Sequence, residues 1–195
     1  MGLFSNYNKK SDERLMILTK VGDHRAFSHL YDRYAIRLKA YFYRMLWSDS
    51  SLADDFVHDL FSKIIEKPEL FQEDKKFQPW LFRIASNMCK NAYRKKSFEI
   101  EYLNQLEKQG IELPVIDDKL DNEILADEIY KALEKLDEDR RSLFLLRYQQ
   151  DIPIKELALL FELPEGTVKT RLFHIKKNLI GITEKTKNMI NYGND

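Results

Sequence analysis

Residues 153–180 read PIKELALLFELPEGTVKTRLFHIKKNLI, and the spacing predicts two short helices around a tight turn. At about 100° per residue, Val168, Leu172, Ile175 and Leu179 fall on one stripe of the second helix, spaced i, i+4, i+7, i+11. That spacing belongs to a face turned toward a core. The far side carries Thr170, Phe173, His174 and Lys177, flanked by Lys169, Arg171 and Lys176, and no carboxylate occurs between Glu165 and Glu184. In the preceding helix Ile154, Leu157, Ala158 and Phe161 form the matching stripe, with small Ala158 where two helices must approach closely. Leu163 and Pro164 separate the two, because proline cannot continue a helix but suits its first turn.

A helix pair whose second member is basic, with donors and one apolar side chain facing outward, has the form of a helix-turn-helix. A DNA major groove is matched by that mixture: cations for phosphate, hydrogen-bonding side chains for base edges, an apolar group for a thymine methyl. An ordinary helical hairpin with a solvated basic face fits the same pattern, and the basic outer face is what separates the two readings.

The chain has 195 residues, 44% hydrophobic and 33% charged, enough for one or two domains with a real core. A formal net charge of zero argues by itself against a nucleic-acid binder. Charge is nevertheless segregated. Counting Lys+Arg against Asp+Glu, residues 1–98 carry 18 and 12, residues 99–139 carry 4 and 14, and residues 140–187 carry 10 and 5. Two basic blocks flank an acidic segment, which either is a solvated linker or shields the basic blocks when no DNA is present.

The single cysteine, Cys89, excludes an internal disulfide and any multi-cysteine zinc site, and is expected to be small and partly buried. No apolar run suits a signal peptide and none approaches a membrane span, so a cytoplasmic protein is expected.

Working outward, apolar positions from Asp12 to about Trp47 recur at helical spacing with a break near Gly22-Asp23, predicting a short helix and then a long one. Ser51 with Asp54 resembles a capping box before a helix over Leu52 to Glu66. On that helix Asp55, Asp59, Ser62 and Glu66 form a narrow acidic stripe with His58 at its edge. Either it is a solvated face with acids suited to a helix start, or it docks a basic partner.

The next helix starts near Gln78-Pro79. Trp80, Leu81, Ile84, Ala85, Met88 and Ala92 share one arc, while Arg83, Asn87, Lys90 and Arg94 share the other with Asn91 beside them. From Arg83 to Ser97 there are five cations and no acid. Cations and amides close to Trp80, Phe82 and Tyr93 suit a nucleic-acid backbone with unstacked bases. A basic helix end complementing its own dipole accounts for Lys95 and Lys96 but not for Arg83 in the first turn.

Periodicity is lost over 97–122, where Gly110 and Pro114 mark a linker; helices resume at 122–136 and 138–149. No run has strand-like alternation. The expectation is an all-α chain of two helical domains, 1–97 and 123–195, joined by a flexible acidic linker at 98–122.

His58-Asp59 is the adjacent pair used by some metal-dependent phosphohydrolases, but such a site needs further ligands, usually more histidines. His24, His29 and His174 stand in no comparable cluster. With no Gly-rich phosphate loop and no nucleophile arrangement either, no metal, no cofactor and no enzyme activity are expected.

Four pieces in order carry a resemblance over about Asp12 to Leu179. They are Gly22-Asp23 with Ala26-Phe27, the run Asp54 to Phe61, the run Pro79 to Asn87, and the run Gly166 to Leu172. Together they resemble a bacterial RNA polymerase sigma factor of the extracytoplasmic-function group. The resemblance implies that the helix with Asp55, His58, Asp59, Ser62 and Glu66 binds a coiled coil of the polymerase's largest subunit. It implies that the Lys75 to Lys96 segment captures the melted minus-ten element, through Trp80, Arg83, Asn87, Lys90, Asn91 and Arg94. The last helix would read the minus-thirty-five duplex with Lys169, Thr170, Arg171, Phe173 and His174, and geometry assigns Lys177 to phosphate. Core polymerase and promoter DNA are the implied partners; an anti-sigma factor is usual for this group, though no residue here identifies one. The runner-up is a conventional helix-turn-helix regulator acting without polymerase.

Departures from that pattern are Glu162 where glycine is usual in the turn, Thr170 for serine, His174 for arginine, and Asp137 for a proline. A non-glycine residue at positive φ costs about 1 kcal/mol, so the turn is expected to differ locally at Glu162.

Overall fold

The computed structural model describes residues 7–107 and 131–192, and among these every regular element is helical. Helix α1 (Asp12–Lys20) starts at Ser11, whose hydroxyl accepts from the Arg14 N–H, and carries Asp12 and Glu13 in its first turn. It ends at Gly22, whose φ of 85° is one that glycine adopts without strain. Asp23 then caps α2 (His24–Met45), its Oδ1 accepting from the N–H groups of Arg25 and Ala26 at 3.0 and 3.1 Å. The hydrogen bond from Ala26, with those from the Tyr7 hydroxyl and Arg25, holds the Asp23 carboxyl below its ordinary pKa.

Helix α2 is the axis of the N-terminal half. Ala26, Leu30, Tyr34, Leu38, Tyr41, Phe42 and Met45 recur at helical spacing and are all buried, packed against α1 and α3. Helix α3 (Ser50–Glu66) begins two residues before the expected Leu52, and its cap is Asp49, which accepts from the Leu52 N–H at 2.9 Å. Trp47 and Ser48, both left-handed, turn the chain early enough for Asp49 to reach the helix start, where a carboxylate also meets the positive end of the dipole. Asp54, expected as a capping-box partner, pairs with Lys39 at 2.6 Å.

Helix α4 (Phe77–Glu107) opens with the Phe77 N–H donating to Glu13. It continues beyond the expected end near 97, because residues 98–107 contain neither Gly nor Pro and several good helix formers, and the first breaker is Gly110. Cys89 is fully buried rather than partly so, and burial pushes its thiol well above the ordinary range.

Of the helix expected over 122–136, residues 131–134 are helical and the earlier part lies outside the described residues, as does the 108–122 part of the expected linker. Helix α5 (Glu138–Tyr148) is capped by Asp137, which accepts from the Arg140 N–H at 2.9 Å. Asp137 thus starts the helix by a side-chain cap, a role proline cannot fill. Helices α6 (Ile154–Phe161) and α7 (Glu165–Tyr192) form the pair expected at 153–180, with α7 continuing past Ile180. The turn keeps its left-handed residue: Glu162 has φ 55° and ψ 44°, and the Leu163 N–H closes onto the Ala158 carbonyl at 2.9 Å. Glutamate accepts the conformation instead of forcing a different turn. Helices α5, α6 and α7 pack on one another, α5 also lies against α2 and α4, and α6 lies against α4.

Candidate nucleic-acid interface

Helix α7 turns Val168, Leu172, Ile175 and Leu179 inward, all less than a tenth exposed. The opposite face presents Lys169, Thr170, Phe173, His174 and Lys177 to solvent, with Arg171 half-buried at its edge. Phe173 is 63% exposed, and its ring meets that of His174 edge-on at 5.6 Å. A single exposed ring is ordinary on a protein surface, and here it places one apolar contact within a basic face. The Thr170 hydroxyl donates to the Gly166 carbonyl at 2.9 Å, which fixes its rotamer and leaves its oxygen able to accept. Beside this face a cleft of about 520 Å³ is lined by Arg140, Thr170, Arg171, His174 and Asn178 among others. Cations, rotamer-fixed polar groups and one apolar ring are thus mounted on a helix whose other side is anchored.

A second basic surface runs along α4. Arg83, Asn87, Asn91 and Arg94 are exposed on one strip, and Lys90 is half-buried within it. Trp80 is half-buried, its ring edge-on to Phe71 at 5.1 Å and near Phe77 at 5.7 Å, which secures the first turn of α4. Two cations of the strip meet carboxylates of the C-terminal half: Lys90 Nζ is 2.8 Å from Asp139, and Arg83 Nη2 is 3.4 Å from Glu162. Lys90 also lies 5.7 Å from the Phe161 ring centre.

The acidic stripe of α3 is open: Asp55, His58, Asp59, Ser62 and Glu66 are all exposed. Among the described residues, no group of three or more His, Cys, Asp and Glu side chains is placed to hold a metal ion.

Sequence reasoning missed the side chains that join the two halves. Buried Arg141 donates to the carbonyls of Leu133, Glu134 and Leu136 at 3.0, 2.5 and 3.2 Å, and to the Tyr93 hydroxyl at 2.9 Å. Tyr93 in turn donates to the Met45 carbonyl, and burial pushes its hydroxyl up to about 12. Tyr41 and Ser142 share a buried hydrogen bond of 2.8 Å, with Ser86 at 3.3 Å from the same Ser142 oxygen. Gln150 accepts from Arg37 at its side-chain oxygen (3.0 Å) and from Gln78 at its carbonyl (2.5 Å). One signal was available: Arg141 and Ser142 stand four residues before Leu145 and Leu146, on the buried arc of α5.

Among the described residues every element is helical, and a helix-turn-helix stands beside a second basic strip, the form of a DNA-binding protein. Residues 30–99 match the family model for Sigma-70 region 2, and residues 126–179 match that for Sigma-70, region 4. The chain is 29% identical over 164 residues to the ECF RNA polymerase sigma factor SigW of Bacillus subtilis, covering 78% of this chain and 86% of that one. It is 27% identical over 176 residues to the ECF RNA polymerase sigma-E factor of Escherichia coli, covering 86% and 91%. Its fold resembles that of CnrH in complex with the cytosolic domain of CnrY, with a TM-score of 0.66 at 22% identity over 90% of this chain and 99% of the other. The sigma factor RpoE of Bartonella quintana, solved with the anti-sigma factor NepR, gives a TM-score of 0.64 at 21% identity, over 81% and 96%. The chain belongs to the sigma-70 family of RNA polymerase sigma factors, in its extracytoplasmic-function group. Proteins of this family direct promoter-specific transcription initiation and are recognition subunits rather than catalysts.

Proposed function

We propose that this sigma factor docks core RNA polymerase through α3, reads the minus-thirty-five duplex with α7 and holds the melted minus-ten strand on α4. The observation that carries this reading is the pair of basic surfaces on two different helices, one built for a groove and the other for an extended strand. Lys169, Thr170, Arg171, Phe173 and His174 are the reading side chains of α7, with Lys177 on phosphate. Arg83, Lys90 and Arg94 meet the strand backbone, and Asn87 and Asn91 supply amides for bases. Trp80 supports that strip from its half-buried seat at the start of α4.

Asp55, His58, Asp59, Ser62 and Glu66 form the polymerase-docking stripe; their common exposure on α3 supports a partner of complementary charge. Division of labour follows the two family matches, residues 1–97 carrying the polymerase and minus-ten functions and 123–195 the minus-thirty-five function. Partners are then core polymerase, promoter DNA and, as is usual in this group, an anti-sigma factor, all met in the cytoplasm. A conventional regulator acting without polymerase leaves the α4 strip and the region 2 match without a purpose, and is not favoured.

Transcription with purified core polymerase on genomic templates tests the reading, and failure to start at any defined site would sink it. Replacing Lys169, Arg171 or His174 by alanine is expected to cost about 1–3 kcal/mol in upstream-element recognition while leaving polymerase binding intact. Loss of polymerase binding instead would mean that α7 is a docking surface and not a reading head.

A further inference from the structure

A second cleft, of about 320 Å³, opens where the turn joining α2 to α3 meets α4, and it is lined by Trp47, Tyr93, Arg94, Lys96, Ser97 and Glu138. That volume lies at the lower end of the range for small-molecule sites. Neither the helix-turn-helix nor the acidic stripe of α3 contributes to it, and of the strip on α4 only Arg94 lines it. Its walls are aromatic. The Trp47 and Tyr93 ring centres stand 5.1 Å apart, edge-on. Tyr93 is fixed at its hydroxyl, which donates to the Met45 carbonyl and accepts from Arg141 at 2.9 Å. Trp47 has a φ of 52° and Ser48 one of 56°, left-handed values that glycine or asparagine adopts far more readily than a bulky ring. The turn itself therefore gives no reason for a tryptophan.

The rim is cationic. Lys96 holds its ammonium 3.8 Å from the Trp47 ring centre, and Arg94 is exposed nearby. Among the described residues neither is paired with a carboxylate. An exposed cation–π contact is weaker than the stacking of a base on an aromatic ring, so a base can take the place of Lys96 and leave its ammonium beside the ring to meet an anion. Glu138, half-buried, is the one acid of the lining. It repels phosphate, but its oxygens accept from ring N–H and amino groups. Flat ring, cations and a single acceptor match a nucleotide, and a bare anion would use them only in part.

We propose that this cleft binds a nucleotide: the base stacks on Trp47 with its N–H edge toward Glu138, and the phosphate lies between Lys96 and Arg94. Guanine, with adjacent N–H groups on one edge, suits the paired oxygens of a carboxylate best. The nucleotide is either free in solution or part of a single strand that passes Arg94, and the two sources share this chemistry.

The test uses the full chain and guanosine monophosphate labelled on its ribose with fluorescein, followed by anisotropy, with unlabelled competitors. Unlabelled guanosine monophosphate is expected to displace the probe about five-fold more effectively than guanosine or inorganic phosphate, since each of these makes only part of the contacts. Displacement by phosphate equal to that by the monophosphate would mean an adventitious ion only; equality with guanosine, or no saturable binding, would equally overturn the proposal. Trp47→Asn removes the ring and keeps a residue suited to the left-handed turn, and it is expected to weaken probe binding about ten-fold. Lys96→Gln is expected to weaken it about three-fold, with the helical circular dichroism of both variants unchanged. Unchanged affinity in either variant would put the nucleotide elsewhere and sink the assignment. A further competitor, mixed-sequence single-stranded DNA, separates the sources. Displacement at lower nucleotide concentration than the monophosphate needs assigns the bound nucleotide to a DNA strand, and displacement no better than that assigns it to a free nucleotide.

Discussion

Arg141 is a charged side chain placed where the apolar arc of α5 runs, only 7% exposed, and its guanidinium spans three carbonyls and the Tyr93 hydroxyl. Planar, permanently charged and rich in donors, arginine suits this junction better than lysine. Arg141→Met keeps most of the volume but leaves the Leu133, Glu134 and Leu136 carbonyls without their donor. The variant is expected to lose about 3 kcal/mol in urea unfolding, with Arg141→Lys intermediate. Its neighbour Arg140 is exposed beside the α7 cleft, so two adjacent arginines do different work. Composition assigns them one charge each and nothing more.

At the level of elements, α7 was readable in its faces up to Ile180, though not in its length. An i, i+4, i+7, i+11 stripe leaves one solution for a helix with one side in a core, and the four stripe residues are buried as that solution requires. With the stripe inward, the basic face has to be outward. Lys177 is exposed on that face, and under the proposed function it meets phosphate. Lys177→Ala is expected to weaken binding about equally across duplex sequences and to lower the slope of log affinity against log salt by about 1. A base-reading role would instead shift sequence preference at constant slope. Helix boundaries were less legible. The cap of α3 depended on whether Asp49 or Ser51 met the first free N–H groups, and the Trp47-Ser48 turn decided that. The end of α4 depended on propensity persisting after periodicity had faded, a weak signal beside Gly110.

Across the whole molecule, the N-terminal and C-terminal halves meet through side chains far apart in the chain. The Tyr41–Ser142 hydrogen bond spans 101 positions and is fully buried. Burial pushes the Tyr41 hydroxyl well above its ordinary pKa, so it stays a neutral donor or acceptor across the working pH range. Ser142→Ala is expected to cost about 1–2 kcal/mol, because it leaves that hydroxyl short of a partner, and the Tyr41→Phe, Ser142→Ala double variant is expected to cost less than the sum. Additive effects in the cycle would show that the two halves do not share this contact in solution.

The amino-acid order alone determined the helical class, the inward stripe of α7, the basic strip of α4 and the acidic stripe of α3. Each is a pattern repeated within one helix, and helical geometry converts such repeats directly into faces. Tertiary structure alone decided that Glu162 keeps a left-handed turn, that Cys89 is sealed in the core, and that Arg83 and Lys90 pair with Glu162 and Asp139. These outcomes depend on which surfaces meet, and a meeting between single polar residues separated by tens of positions leaves no period in the sequence to read.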